Sequence, residues 1–156
     1  MMKLHQQIRD AFPTHPVPPA DAVVENTYCV EHLLELLAGR PWDVPSVRDY
    51  RCCDDGFSLL TTVGLHYYLP GYLTAELVDP ETADTIAESI TFAMNRRSQF
   101  KNQRMDALGA LLTRPQRAAI RDWLLQYESE IGIDKHLRGS LMTVADWDSK
   151  ADLGSG

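Results

Sequence analysis

Cys52-Cys53-Asp54-Asp55 sets two thiols beside two carboxylates, and Arg51 precedes them. Thiolates and carboxylates can hold zinc. A structural zinc site takes four ligands in tetrahedral reach, commonly from C-x-x-C or similar spacing. Adjacent cysteines point to different sides, and no histidine is near in sequence. A nucleophilic cysteine needs a basic neighbour to lower its pKa. Arg51 is adjacent, but Asp54 and Asp55 oppose it. The run therefore reads as a helix end with one buried cysteine. His5, His15, His32, His66 and His136 are scattered, and none falls in H-E-x-x-H. There is no glycine-rich phosphate loop and no G-x-S-x-G. Glu31 and Glu35 lie four apart beside a leucine stripe and read as a solvated face. On these grounds we expect no metal and no cofactor.

Charge is the other feature that bears on binding. The 156 residues carry a net charge of −7. Residues 1–95 have a balance of −9, residues 96–121 one of +6, and residues 122–156 one of −4. Overall acidity argues against nucleic acid as a partner and permits an acidic face for a basic protein. Asp54 and Asp55 are candidates for that face, with Trp42, Tyr67 and Tyr68 as aromatic anchors. In the basic segment, Arg97, Lys101 and Arg104 share one helical face, and Arg114, Arg117 and Arg121 share another. Two antiparallel helices would merge them into a site for an anion or an acidic partner. Neutralisation by acids of the same domain is the favoured alternative.

The elements that must position these residues are helical. Met2 to Phe12 is periodic, and Pro13-Thr-His-Pro-Val-Pro-Pro19 must break it. One stripe from Ala20 takes in Val23, Thr27, Val30, Leu34 and Leu37, with a stop at Gly39. A short helix over Ser46 to Cys53 meets the turn signal Asp54-Asp55-Gly56. Apolar runs near 57–67 and 70–78 are divided by Tyr67-Tyr68-Leu69-Pro70. Proline lacks an N–H and restricts the residue before it, so a helix should end near Tyr68 and another begin near Pro70. Asp79-Pro80-Glu81 starts a further helix with Ala83, Ile86, Ala87, Ile90 and Met94 inside. Gln99 to Leu112 follows, carrying Met105, Leu108, Leu111 and Leu112. Thr113-Arg-Pro-Gln116 is a capping box opening a helix that buries Ala119, Ile120, Trp123, Leu124 and Tyr127. Beyond His136 the pattern is weak, and 151–156 reads as a disordered tail. The expectation is all-α: one domain over 1–150, an irregular bundle of about seven helices.

The block GLHYYLPGYLTAEL resembles the YYLPA-type core of a bacterial family of small, uncharacterised helical proteins. Trp42 lies upstream, as in that family. The second block, LGALLTRPQRAAIRDWLLQYE, ends at Glu128, so the resemblance spans residues 40–128. Gly71 stands where the family more often has alanine. The resemblance implies no activity that transfers by residue; it implies accessory proteins, such as companions of bacterial toxins.

The expected function is a non-enzymatic protein-binding module, most specifically an immunity protein that neutralises a cognate toxin. The alternatives are a structural or regulatory subunit using the basic 96–121 face, and an enzyme whose site has no recognised motif. Three cysteines, two of them adjacent, suit no disulfide framework and point to a reduced cytoplasmic protein. No stretch reads as a secretory signal or a membrane span.

Overall fold

The computed structural model describes residues 2–24, 29–95, 99–132 and 134–154, without the side chains of 2, 99–102 and 154. The described residues form eleven α-helices and no named strand, one all-α domain. They are α1 (Met2–Ala11), α2 (Ala20–Val23), α3 (Glu31–Leu36), α4 (Val47–Cys52), α5 (Gly56–Leu59) and α6 (Thr62–Val78). After these come α7 (Pro80–Ala83), α8 (Ile86–Met94), α9 (Gln99–Leu111), α10 (Arg114–Ile131) and α11 (Lys135–Gly154). No helix among them is long and apolar enough to cross a membrane.

The bundle is organised around α6. Thr61 caps its start by accepting from the Gly64 N–H. Leu65, Tyr68, Leu69, Pro70, Gly71, Tyr72, Leu73 and Ala75 are all buried, so the helix is apolar on every side. Contrary to the expected joint, Pro70 lies inside this one continuous helix. An interior proline costs about 3 kcal/mol. Burying Tyr68, Leu69, Tyr72 and Leu73 returns roughly 1.5–3 kcal/mol for each large side chain, so tertiary packing wins.

The tyrosines of α6 bind loop carbonyls. Tyr68 Oη donates to Leu37 O and Arg40 O at 2.6 and 2.9 Å, and Tyr72 Oη to Cys53 O at 2.5 Å. Tyr67 Oη donates to Thr14 O and accepts from the Trp42 N–H. Each hydroxyl thereby satisfies backbone groups that burial would otherwise strand.

Three expected helices are subdivided. The stripe from Ala20 stops at Val23 because Thr61 takes its carbonyls: Thr61 N–H donates to Val23 O, and Thr61 Oγ1 to Ala22 O. Val24 is then extended and bridges Leu60. Thr27 lies outside the described residues, and the chain resumes as α3 with Leu33 buried and Leu34 exposed. The run near 57–67 breaks at Leu60, which is extended. The helix opened by Asp79 breaks at Asp84, whose φ is +52°. Its inward set of Ala83, Ile86, Ala87, Ile90 and Met94 is nonetheless buried.

At the C-terminal end, Thr113 and Gln116 form the expected reciprocal cap of α10. Trp123 is buried, with Nε1 donating to Leu73 O at 3.1 Å, while Leu111 on α9 is exposed. α11 is helical to Gly154, beyond the expected start of a disordered tail at 151. It packs on α8, α9 and α10. Ser140 and Thr143 donate to Thr91 O and Met94 O, and Trp147 Nε1 donates to Met105 O.

Candidate functional site

The segment that joins α4 to α5 carries the carboxylates singled out by the sequence. Ser46 and Asp49 cap α4 reciprocally, which fixes where the helix begins. Tyr72 Oη holds the Cys53 carbonyl, so the residues that follow leave the helix from a fixed point. The two cysteines diverge: Cys52 is exposed and Cys53 is buried. The Cys53 thiol faces His32 O, and burial first, then the nearby Asp55 charge, pushes its pKa up to about 12. A thiol so raised is protonated at neutral pH and is a poor nucleophile.

Asp54 Oδ2 accepts from Thr85 Oγ1 at 2.8 Å and lies 3.8 Å from Arg51 Nη1. Asp54 Oδ1 is buried and receives no hydrogen bond. Arg51 Nη2 reaches Asp84 Oδ2 at 3.6 Å. Asp55 Oδ1 pairs with His32 Nε2 at 2.7 Å. Asp54 and Asp84 thus flank one guanidinium, while Asp55 turns to His32. Asp84 is exposed and sits in a backbone conformation rare for a residue with a Cβ, the kind of strain that collects at binding sites.

Arg51, Asp54 and Asp55 line a cavity of about 560 Å³ between the α4–α5 segment, α8 and α9. Phe57 and Met105 are its buried apolar wall; Ser58, Ser89 and Ala93 also line it. Phe92 stands at it 54% exposed, its ring edge-on to His136. Arg104 enters from α9, with Nη2 donating to Phe57 O and Leu60 O at 2.9 Å each. Two charge groups that lie 50 residues apart in sequence therefore share one cavity.

The remaining candidates sit elsewhere. Trp42 and Tyr68 are buried and cannot anchor a partner; Trp42 Nε1 donates to Phe12 O. Tyr67 is half-buried, with its hydroxyl held inside the fold. All three are aromatic residues whose polar ends serve loop carbonyls or N–H groups, a role that spacing alone does not distinguish from an exposed anchor. The described packing does not set the helices of the two basic rows face to face. α9 packs on α6, α8 and α11, whereas α10 packs on α1 and α11. Arg117 is buried, pairing with Asp148 at 2.7 Å and donating to Leu112 O. Arg114 and Arg121 are exposed, and Arg121 lies 3.7 Å from Asp122. Arg97 lies outside the described residues, as does the side chain of Lys101. Sequence reasoning missed Arg51, Asp84 and Phe92 as site residues. The i,i+3 spacing of Arg51 and Asp54 was the available signal for the first.

A family model matches residues 3–148. The chain belongs to DUF6714, a family of unknown function. The match runs well beyond the 40–128 span of the resemblance and takes in nearly all of α1 and most of α11. No curated protein and no solved structure matches the chain.

A second acidic group lies where α6 faces α10. Glu76, Tyr127 and Glu130 line a small cleft, and Glu76 Oε2 is buried without a hydrogen bond. Burial first, then the neighbouring Glu130 charge, raises the Glu76 pKa to about 7. Among the described residues no three His, Cys, Asp or Glu side chains are grouped to hold a metal ion.

Proposed function

We propose that this DUF6714 chain is a non-enzymatic protein-binding module, most specifically an immunity protein that neutralises a cognate bacterial toxin. The observation that carries the reading is an acidic mouth: Asp54 and Asp84 flank Arg51, Asp55 pairs with His32, and Asp54 and Asp55 line a cavity. A mouth with three carboxylates set against one guanidinium and one imidazole is complementary to a basic surface. In a chain of net charge −7 it would steer such a partner into encounter. Phe92, exposed beside it, supplies an aromatic anchor in place of the buried Trp42 and Tyr68. A reduced cytoplasmic setting goes with this reading, since all three cysteines are unpaired.

The alternative of a regulatory subunit with a basic face has less support. Arg104 and Arg117 are committed to interior carbonyls and to Asp148. Co-expression with the product of the neighbouring gene tests the proposal. A complex of defined stoichiometry that restores growth, and that is lost in Asp55→Lys/Asp84→Lys, is the expected result. Unchanged toxicity with no co-purified complex would reject it.

A further inference from the structure

The cavity beside that mouth has a composition that a protein surface alone does not require. Its volume, about 560 Å³, lies within the roughly 300–1,000 Å³ of small-molecule sites. Its charged lining is balanced: Arg51 and Arg104 oppose Asp54 and Asp55. A ligand of one sign would meet like charges there, while one carrying both signs finds a partner for each. We propose that the cavity binds a free α-amino acid with a large apolar side chain. This does not depend on the protein-partner reading.

Three observations assign the parts. Arg51 holds Asp54 and Asp84 only at 3.8 and 3.6 Å, beyond the roughly 2.7–2.9 Å of a charge-assisted hydrogen bond. Its planar fork keeps capacity for a carboxylate. Asp54 lines the cavity with its side chain about a fifth exposed, and an ammonium brings three donors to such a carboxylate. Arg51 and Asp54 are neighbours across one helix turn, so they can receive the two charged groups of an α-amino acid, which sit on one carbon. Phe57, Ala93 and Met105 then offer the wall for its side chain, with Phe92 at the edge.

Titration followed by amide resonances tests this with stated probes. L-phenylalanine should shift the amides of Asp54, Ser58 and Phe92 and saturate in the range of about 1 mM. Phenylalaninamide lacks the carboxylate, 3-phenylpropanoate lacks the ammonium, and glycine lacks the side chain; each should bind about tenfold or more weaker. Arg51→Met and Asp54→Asn should each weaken L-phenylalanine by about tenfold, while Arg114→Met leaves it unchanged. The wild-type analogue series decides the matter even if a variant misfolds. No shift with L-phenylalanine, L-leucine and L-methionine at about 20 mM, or equal binding of the single-charge analogues, would overturn the assignment.

Discussion

Gly71→Ala reverses the usual sign of a glycine-to-alanine change in a helix. In an exposed helix interior it would stabilise by about 1 kcal/mol. Here Gly71 is buried in α6, and a Cβ at this position would overlap the Oη and Cζ of Tyr50. The ring cannot yield freely. It is buried, its hydroxyl donates to Trp42 O, and it meets Tyr72 edge-on at 4.8 Å between centroids. Overpacking of this kind costs about 1–3 kcal/mol. Displacing the hydroxyl strands the Trp42 carbonyl for about 1–3 kcal/mol more. Set against the propensity gain, the net loss is about 1–5 kcal/mol. At roughly 2–4 °C per kcal/mol for a domain of this size, the melting temperature should fall by about 2–20 °C in a calorimetric or circular-dichroism melt. In a Tyr50→Phe background the same change should cost about 1 kcal/mol less, because the hydroxyl is gone. A melting temperature equal to or above that of the wild type would refute the close approach of Tyr50 to α6.

Trp123→Ala should lose about 3–5 kcal/mol in a denaturant titration, because it opens a cavity beside Leu73; a loss below about 1 kcal/mol would place the ring at the surface. Glu76 has a folded-state pKa of about 7 against an ordinary 4.5, so the fold holds its proton more tightly than the unfolded chain does. Its contribution is fully present below pH 4.5 and is lost as pH rises through 7. Glu76→Gln should therefore flatten the stability–pH curve across that window and raise stability at alkaline pH by about 1 kcal/mol, after allowance for solvent screening of a half-exposed group; an unchanged slope would contradict the shift. Thiol titration of the native protein should show Cys29 and Cys52 reacting fast and Cys53 only on unfolding; fast reaction of all three would place Cys53 outside the core.

Helical class was legible because apolar spacing is a local signal. Thr113-x-x-Gln116 and Asp79-Pro80 also carry their cap chemistry in sequence. What was not legible depended on distant partners. Pro70 reads locally as a break, and only the packing around α6 overrides it. The end of α2 is set by Thr61, nearly 40 residues away, which takes the Ala22 and Val23 carbonyls. The stripe of α11 was obscured because Ser140 and Thr143 sit in its interface as hydrogen-bond donors to α8. The site followed the same rule. Asp54 and Asp55 were found from composition, and their company with Arg51 is local. Asp84 and Arg104 join them only through the packing of α7, α8 and α9. Trp42 and Tyr68 were read as anchors because an aromatic residue that binds a loop carbonyl has the same sequence signature as one that binds a partner.

The most direct test of a protein-binding acidic mouth is the association rate with the co-purified partner at about 20 and 200 mM salt. The account predicts a wild-type rate that falls about tenfold or more as salt rises, and a slow, salt-insensitive rate for Asp55→Lys/Asp84→Lys. Equal rates for both proteins at low salt, or the same loss produced by Arg114→Glu/Arg121→Glu, would contradict it.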